Sequence, residues 1–207
     1  MVSLEGTPVN LTSLGDAVDH WKGSIFAHLQ ECVALRDFAV DPMARDIDDW
    51  STGDFELYAR LLRIRSDQIL EHRCSLACAD DYFGEITHSG DLFLDADAGV
   101  LTGGAKDPRE CVPPAHLGHL LCRHQDRVVA VYQQVGAETI SSRVDCCLAH
   151  VAAVAPEAAW CCCESGSAAM LFFSVDTQWS ANICRALREL LGLQGERRVR
   201  FGALRAH

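Results

Sequence analysis

The sequence predicts a single α+β domain, and three observations lead there. Apolar stripes at three- and four-residue spacing mark helices at both ends of the chain. Short apolar runs separated by Asp- and Gly-rich turns mark strands in its centre. Two further apolar runs flank Glu164-Ser-Gly-Ser167 and read as a hairpin. The expected order is N-terminal helices, a central antiparallel β-meander, then a C-terminal β-hairpin and helix. At roughly 100–200 residues per domain, residues 1–207 make one unit, which admits a division into a helical part, 1–75, and a mixed part, 76–207.

Each element has a local reason. Leu11, Leu14, Val18, Trp21, Ile25, Leu29, Cys32 and Leu35 align on one face and predict a helix over 11–35. Asp16, Asp19, Lys22 and Glu31 fall largely off that stripe, and Gly15 and Gly23 weaken it. Asp41-Pro42 breaks the pattern, and Asp46 to Trp50 reads as an acidic loop. Ser51 and Asp54 then resemble a helix start, a hydroxyl cap with a carboxylate at the positive helix end. Phe55, Tyr58, Leu62 and Ile69 carry that helix to about residue 71.

After Cys74 the pattern changes. Tyr82–Ile86, Leu92–Leu94 and Val100–Leu101 alternate with turn residues and predict the meander. Pro113-Pro114 sets up a helix whose inner face holds Leu117, Leu120 and Leu121. Val128–Tyr132 fits either a helix or a strand. Thr139 caps a helix through Ile140, Val144, Cys147 and Val151. Ala158–Cys163 and Ala168–Val175 form the hairpin, placing Cys161 and Cys163 on one strand face and Cys162 on the other. Asp176 or Thr177 caps the last helix, with Ile183, Leu187 and Leu190 inward and Gly192 ending it.

Charge is uneven. Residues 1–107 carry eight basic and twenty acidic side chains, a net of −12, whereas residues 108–207 carry a net of +1. An acidic half repels phosphate backbones, so nucleic acid is not an expected partner. The first residues lack a basic start and an apolar core, and no apolar run reaches the ~18 residues of a membrane span. The expectation is a cytoplasmic protein in a reducing compartment, with no membrane partner.

Eleven cysteines are an odd number for a disulfide framework, and their spacing misses that of zinc fingers. They read as small buried hydrophobes. Asp91, Asp95 and Asp97 with Gly99 echo part of a calcium loop, yet the closing Glu is missing and Leu92–Leu94 separates Asp91 from the others. His116, His119, Cys122 and His124 have helical spacing suited to a shared metal but lack an identifiable remaining ligand. No nucleophile elbow, phosphate-binding loop or His-Glu-x-x-His pattern occurs. A thiol enzyme would have to use Cys147 or Cys162 with His150, without an orienting third group. No cofactor, catalytic residue or metal ligand is therefore assigned.

Phe83-Gly-Glu-Ile86, Leu92-Phe-Leu-Asp-Ala-Asp-Ala-Gly-Val-Leu101 and the helix at 115–124 together resemble the core segment of the SUKH superfamily over about residues 80–124. That superfamily comprises α+β bacterial toxin-immunity proteins and relatives in large DNA viruses. The resemblance implies a binding scaffold, of immunity or viral host-interaction type, and transfers no catalytic residue.

The expected function is a non-enzymatic protein-binding module that sequesters or neutralises a partner protein with a basic surface. The alternative is a thiol- or zinc-dependent enzyme drawing on the Cys and His content. Asp46, Asp48, Asp49, Trp50, Asp54 and Phe55 are the candidate binding residues: carboxylates steer a basic partner, and a desolvated aromatic prolongs its stay. The same letters also fit an ordinary acidic loop beside a helix start.

Overall fold

The computed structural model describes residues 14–32, 35–44, 47–70, 79–103, 110–135 and 138–205. Helices α1 (Ala17–Cys32), α2 (Thr52–Leu62), α3 (Ala79–Glu85), α4 (Pro114–Arg123), α5 (Ile140–Ala152) and α6 (Thr177–Leu191) surround a mixed sheet. Its strands are β1 (Ala39–Asp41), β2 (Leu92–Leu94), β3 (Val128–Gln134), β4 (Ala159–Ser165), β5 (Ala168–Ser174) and β6 (Val199–Ala203). The spatial order is β1-β2-β3-β5-β4-β6. This is a single α+β domain, because strands from both the helical and the mixed parts of the sequence share one sheet.

Strand alternation builds two cores. Leu92, Leu94, Val129, Val131, Cys162, Leu171 and Phe173 face one side, against Phe83, Leu117, Leu121, Val144 and Val151 from α3, α4 and α5. Phe93, Val128, Ala130, Cys161, Cys163, Met170 and Phe172 face the other, against Ile25, Phe26, Leu29, Tyr58, Ile183 and Leu187 from α1, α2 and α6. The opposed faces expected for Cys161 and Cys162 are thus present, with both thiols buried.

The central meander is corrected. Residues 79–85 are helical, since Tyr82, Phe83 and Ile86 bury one helical face. β2 pairs parallel with β1 and with β3, from Leu92 opposite Ala39 to Leu94 opposite Val131. A parallel strand covered on both faces reads as an unbroken apolar run, and its partners arrive through helical crossovers rather than tight turns. Val100 forms only an isolated bridge to Val112. The ambiguous run at 128–132 is strand β3, antiparallel to β5.

Helix boundaries follow their caps. Ser51 and Asp54 make a reciprocal capping box: the Asp54 amide donates to Ser51 Oγ (3.3 Å) and the Ser51 amide to Asp54 Oδ2 (2.8 Å). α2 ends at Leu62, shorter than expected, because Arg63 turns into the left-handed region at φ 56°. Thr139 and Asp176 cap α5 and α6, and Gly192 ends α6 with φ 53°. The helix expected over 11–35 is α1, Ala17–Cys32, and residues 11–13, 33 and 34 lie outside the described residues. Leu14 to Asp16 form a turn with Gly15 at φ 95°, and Leu35 is not helical. Gly23 is needed within α1 for another reason than flexibility: a Cβ would lie 2.0 Å from the Leu61 carbonyl oxygen, so its absence lets α1 and α2 touch.

Leu29 and Leu187 are fully buried in the same core. Replacing either with Ala should cost about 2–5 kcal/mol in chemical denaturation. Losses below about half a kcal/mol at both positions would show that these stripes do not hold the domain together.

Candidate functional site

The carboxyl ends of parallel strands are where open α/β sheets usually place a ligand. Here the C-terminal ends of β1 and β2 bring Asp41 and Asp95 side by side, the Asp95 amide donating to the Asp41 carbonyl at 2.9 Å. Alternation sends their side chains to opposite faces. Asp41 accepts from the Tyr82 hydroxyl (2.8 and 3.0 Å) and from the Met43 amide (3.0 Å). Asp95 accepts from the Tyr58 hydroxyl at 2.6 Å and meets the Lys22 ammonium at 2.8 and 3.0 Å.

Lys22 and Asp19 correct the sequence reading, which put them off the buried stripe. Lys22 is 2% exposed, Asp19 6% and Asp95 0%. The ammonium also contacts Asp19 at 3.3 Å and stands 4.4 Å from the centre of the Tyr132 ring. Burial opposes its charge, but the carboxylates of Asp95 and Asp19 outweigh that and hold it above the usual lysine range. Burial pushes the Asp95 carboxyl up against the pull of Lys22, and pushes the Tyr58 phenol up as well. The ammonium and the Asp95 carboxyl group form a close pair, with Asp19 also in contact. The pair's polar atoms are spent on one another inside the core, out of contact with solvent.

The fragment resembling a calcium loop is also divided. Asp91 lies at the opposite end of β2, accepting amides from Arg36 (2.7 Å) and Val128 (2.8 Å) and so joining the starts of β1 and β3. Gly99, at φ 67°, sits where a Cβ would come within 2.3 Å of Gln133 Oε1, which accepts the Val100 amide at 2.9 Å. The histidine group is dispersed in the same way. His116 stacks on Phe83, with ring centres 4.9 Å apart, and lies 3.2 Å from Asp80. Cys122 instead reaches Glu157 at 3.5 Å. Burial drives the thiols of Cys147 and Cys163 up to about 12 and that of Cys162 to about 11, so each stays a neutral thiol near neutrality.

The acidic segment has a different character. Asp48 and Asp49 are exposed on a turn of 3-10 helix at Ile47–Asp49. Asp46 lies outside the described residues. Asp54 is occupied as half of the capping box, and hydrogen bonds from the Ser51 hydroxyl and backbone hold its carboxyl below the usual range. Trp50 is 7% exposed and faces inward, 5.2 Å from Phe55 and 5.5 Å from Tyr58 between ring centres. It precedes the N-cap Ser51, and Phe55 is the fourth helical residue, which makes the pair a hydrophobic staple. That spacing was the signal in the sequence for an anchoring aromatic. The staple braces the acidic turn against α2, and Tyr58 continues the chain of contacts to Asp95.

A surface groove of about 380 Å³ runs beside α6 and β6, lined by Cys184, Arg188, Glu189, Glu196 and Phe201. Among the described residues, no helix is long and apolar enough to cross a membrane. No protein-family model matches the chain, and no curated protein matches it.

The Lys22–Asp95 contact yields a signed prediction. Lys22→Met leaves a carboxylate buried without its cation and should cost about 3–5 kcal/mol near neutral pH. Burial, with the nearby Asp19 carboxylate, then raises the folded-state pKa of Asp95 against the hydrogen bond from Tyr58, so the folded state takes up a proton at higher pH than the unfolded chain. Stability relative to wild type should therefore recover as pH falls from about 8 to about 5. A deficit constant across that range, measured by urea unfolding, would refute the assignment.

Proposed function

We propose that the chain is a non-enzymatic protein-binding module that sequesters or neutralises a partner with a basic surface, as the SUKH resemblance implies. The observation that carries this reading is the acidic turn: two exposed carboxylates, Asp48 and Asp49, on a segment fixed by the Trp50–Phe55 staple. A braced turn presents charge without an ordering cost on association. The excess of acid in residues 1–107 extends the field around it and disfavours nucleic acid. Competition from the enzyme reading is reduced by the environment of the candidate nucleophiles. Cys147 and Cys162 are buried with raised thiol pKa, and the ionisable groups at the strand ends are enclosed. A reducing cell interior suits a chain whose described cysteines are all free.

In this proposal the six residues divide their work. Asp48 and Asp49, with Asp46 beside them in sequence, steer the partner; Trp50, Asp54 and Phe55 hold the turn in place. Affinity capture from host extract under reducing conditions, followed by association kinetics with the purified partner, provides the test. Asp48→Asn with Asp49→Asn should slow association and flatten its dependence on salt, leaving dissociation nearly unchanged. Unaltered association and salt dependence would remove this surface from the interface.

A further inference from the structure

We infer that His28, Cys32 and Glu189 form a zinc-binding site that clips α1 to α6. One ligand atom from each of the three lies within 4.8 Å of the other two, and this is the one such trio among the described residues. His28 and Cys32 are four apart on α1 and so share a helix face, while Glu189 comes from the last turns of α6.

The tautomer of the imidazole is set by α6. His28 Nε2 lies 2.8 Å from the Ala186 carbonyl oxygen, which can only accept, so the proton sits on Nε2. The Nδ1 lone pair is then the one left for a metal. A histidine ligand commonly has this arrangement, its second nitrogen donating to a carbonyl that fixes tautomer and ring orientation. Of the two ring nitrogens, Cys32 Sγ lies nearer Nε2 (3.5 Å), the one bonded to Ala186, and 3.9 Å from Nδ1. Zinc with sulfur about 2.3 Å and nitrogen about 2.0 Å away holds Sγ and Nδ1 about 3.5 Å apart in a tetrahedron. Because Sγ sits beside the ring, closing the site takes a turn of the exposed Cys32 side chain toward the Nδ1 lone pair.

The donor set chooses the metal. One thiolate, one imidazole and one carboxylate suit zinc and disfavour magnesium or calcium, which take oxygen ligands. Cys32 and Glu189 are exposed and His28 half-buried, so an ion can enter from solvent. Three protein ligands leave a fourth tetrahedral position for water. Glu189 also lines the groove beside α6. On binding, the Cys32 thiol gives its proton to buffer and no other bond changes. This site is independent of the acidic turn and of the binding role proposed for it.

The test uses the reduced full-length chain, zinc alone and then cobalt(II) as a spectroscopic probe. Wild type should bind one more zinc ion than Cys32→Ser or Glu189→Gln, or bind that ion more than about tenfold more tightly. Cobalt should give a near-ultraviolet thiolate charge-transfer band that Cys32→Ser abolishes. Zinc should raise the Tm of wild type more than that of either variant. Both altered side chains are exposed, and circular dichroism of the metal-free proteins checks that the fold persists. Cys146→Ser is the control, because Cys146 Sγ lies 3.8 Å from His150 Nδ1 in another four-residue pair. Zinc and cobalt binding unchanged by Cys32→Ser and Glu189→Gln, or lost on Cys146→Ser instead, would overturn the assignment.

Discussion

Burying the Lys22 ammonium against Asp95 is the constraint around which the domain is organised. Removing two charges from water costs several kcal/mol per ion, and only close geometry with further hydrogen bonds offsets it. Here those bonds come from separate elements: Lys22 and Asp19 from α1, Tyr58 from α2, Asp95 from the end of β2, with the Tyr132 ring of β3 beneath the ammonium. Apolar packing alone would let α1 slide along the sheet, since many registers bury leucine and phenylalanine. A buried cation admits few positions. Asp41 does the corresponding work on the opposite face, where Tyr82 fastens α3 to the end of β1.

This use of charge bears on function. The strand ends that commonly receive a ligand in α/β sheets are occupied by the protein's own tyrosine and lysine side chains. Asp91 and Asp95, which looked suited to a metal, are committed to backbone amides, a phenol and an ammonium. The acidic turn is accessible, and it is coupled to the network through Trp50 and Tyr58. In the proposed role, the core charges supply rigidity and the surface charges supply attraction. A partner would then meet a fixed array of carboxylates rather than a loop that must be ordered on contact.

Local chemistry made much of the fold legible. The caps at Ser51, Thr139 and Asp176, the stop at Gly192 and the hairpin around Gly166 all depend on residues within a few positions of one another. The β-meander failed because parallel pairing leaves no turn between partners; β1 and β2 are joined only by contacts distant in sequence. Lys22 was misplaced for a similar reason. Its long side chain and its partner 73 residues away override the polarity by which a helical stripe is read. At the candidate site, the charge of Asp48 and Asp49 is evident in the sequence, whereas Trp50, which reads there as an aromatic that holds a partner, is buried on Phe55 as a staple. His28 and Cys32 carried a readable four-residue spacing, whereas Glu189 joins them only through the packing of α6 on α1.

A double-mutant cycle between Lys22 and Asp95 tests this organisation most directly. The single variants Lys22→Met and Asp95→Leu and the double variant are compared with wild type by urea unfolding at neutral pH. Lys22→Met leaves the Asp95 carboxylate without its cation and Asp95→Leu leaves the ammonium with Asp19 alone, whereas the double change replaces the pair with apolar groups. The double variant should therefore be more stable than the sum of the single losses implies, with a coupling of about 1–3 kcal/mol. A coupling below about half a kcal/mol, with the losses simply additive, would show that the two residues do not act as a pair and that the domain is held by its apolar cores alone.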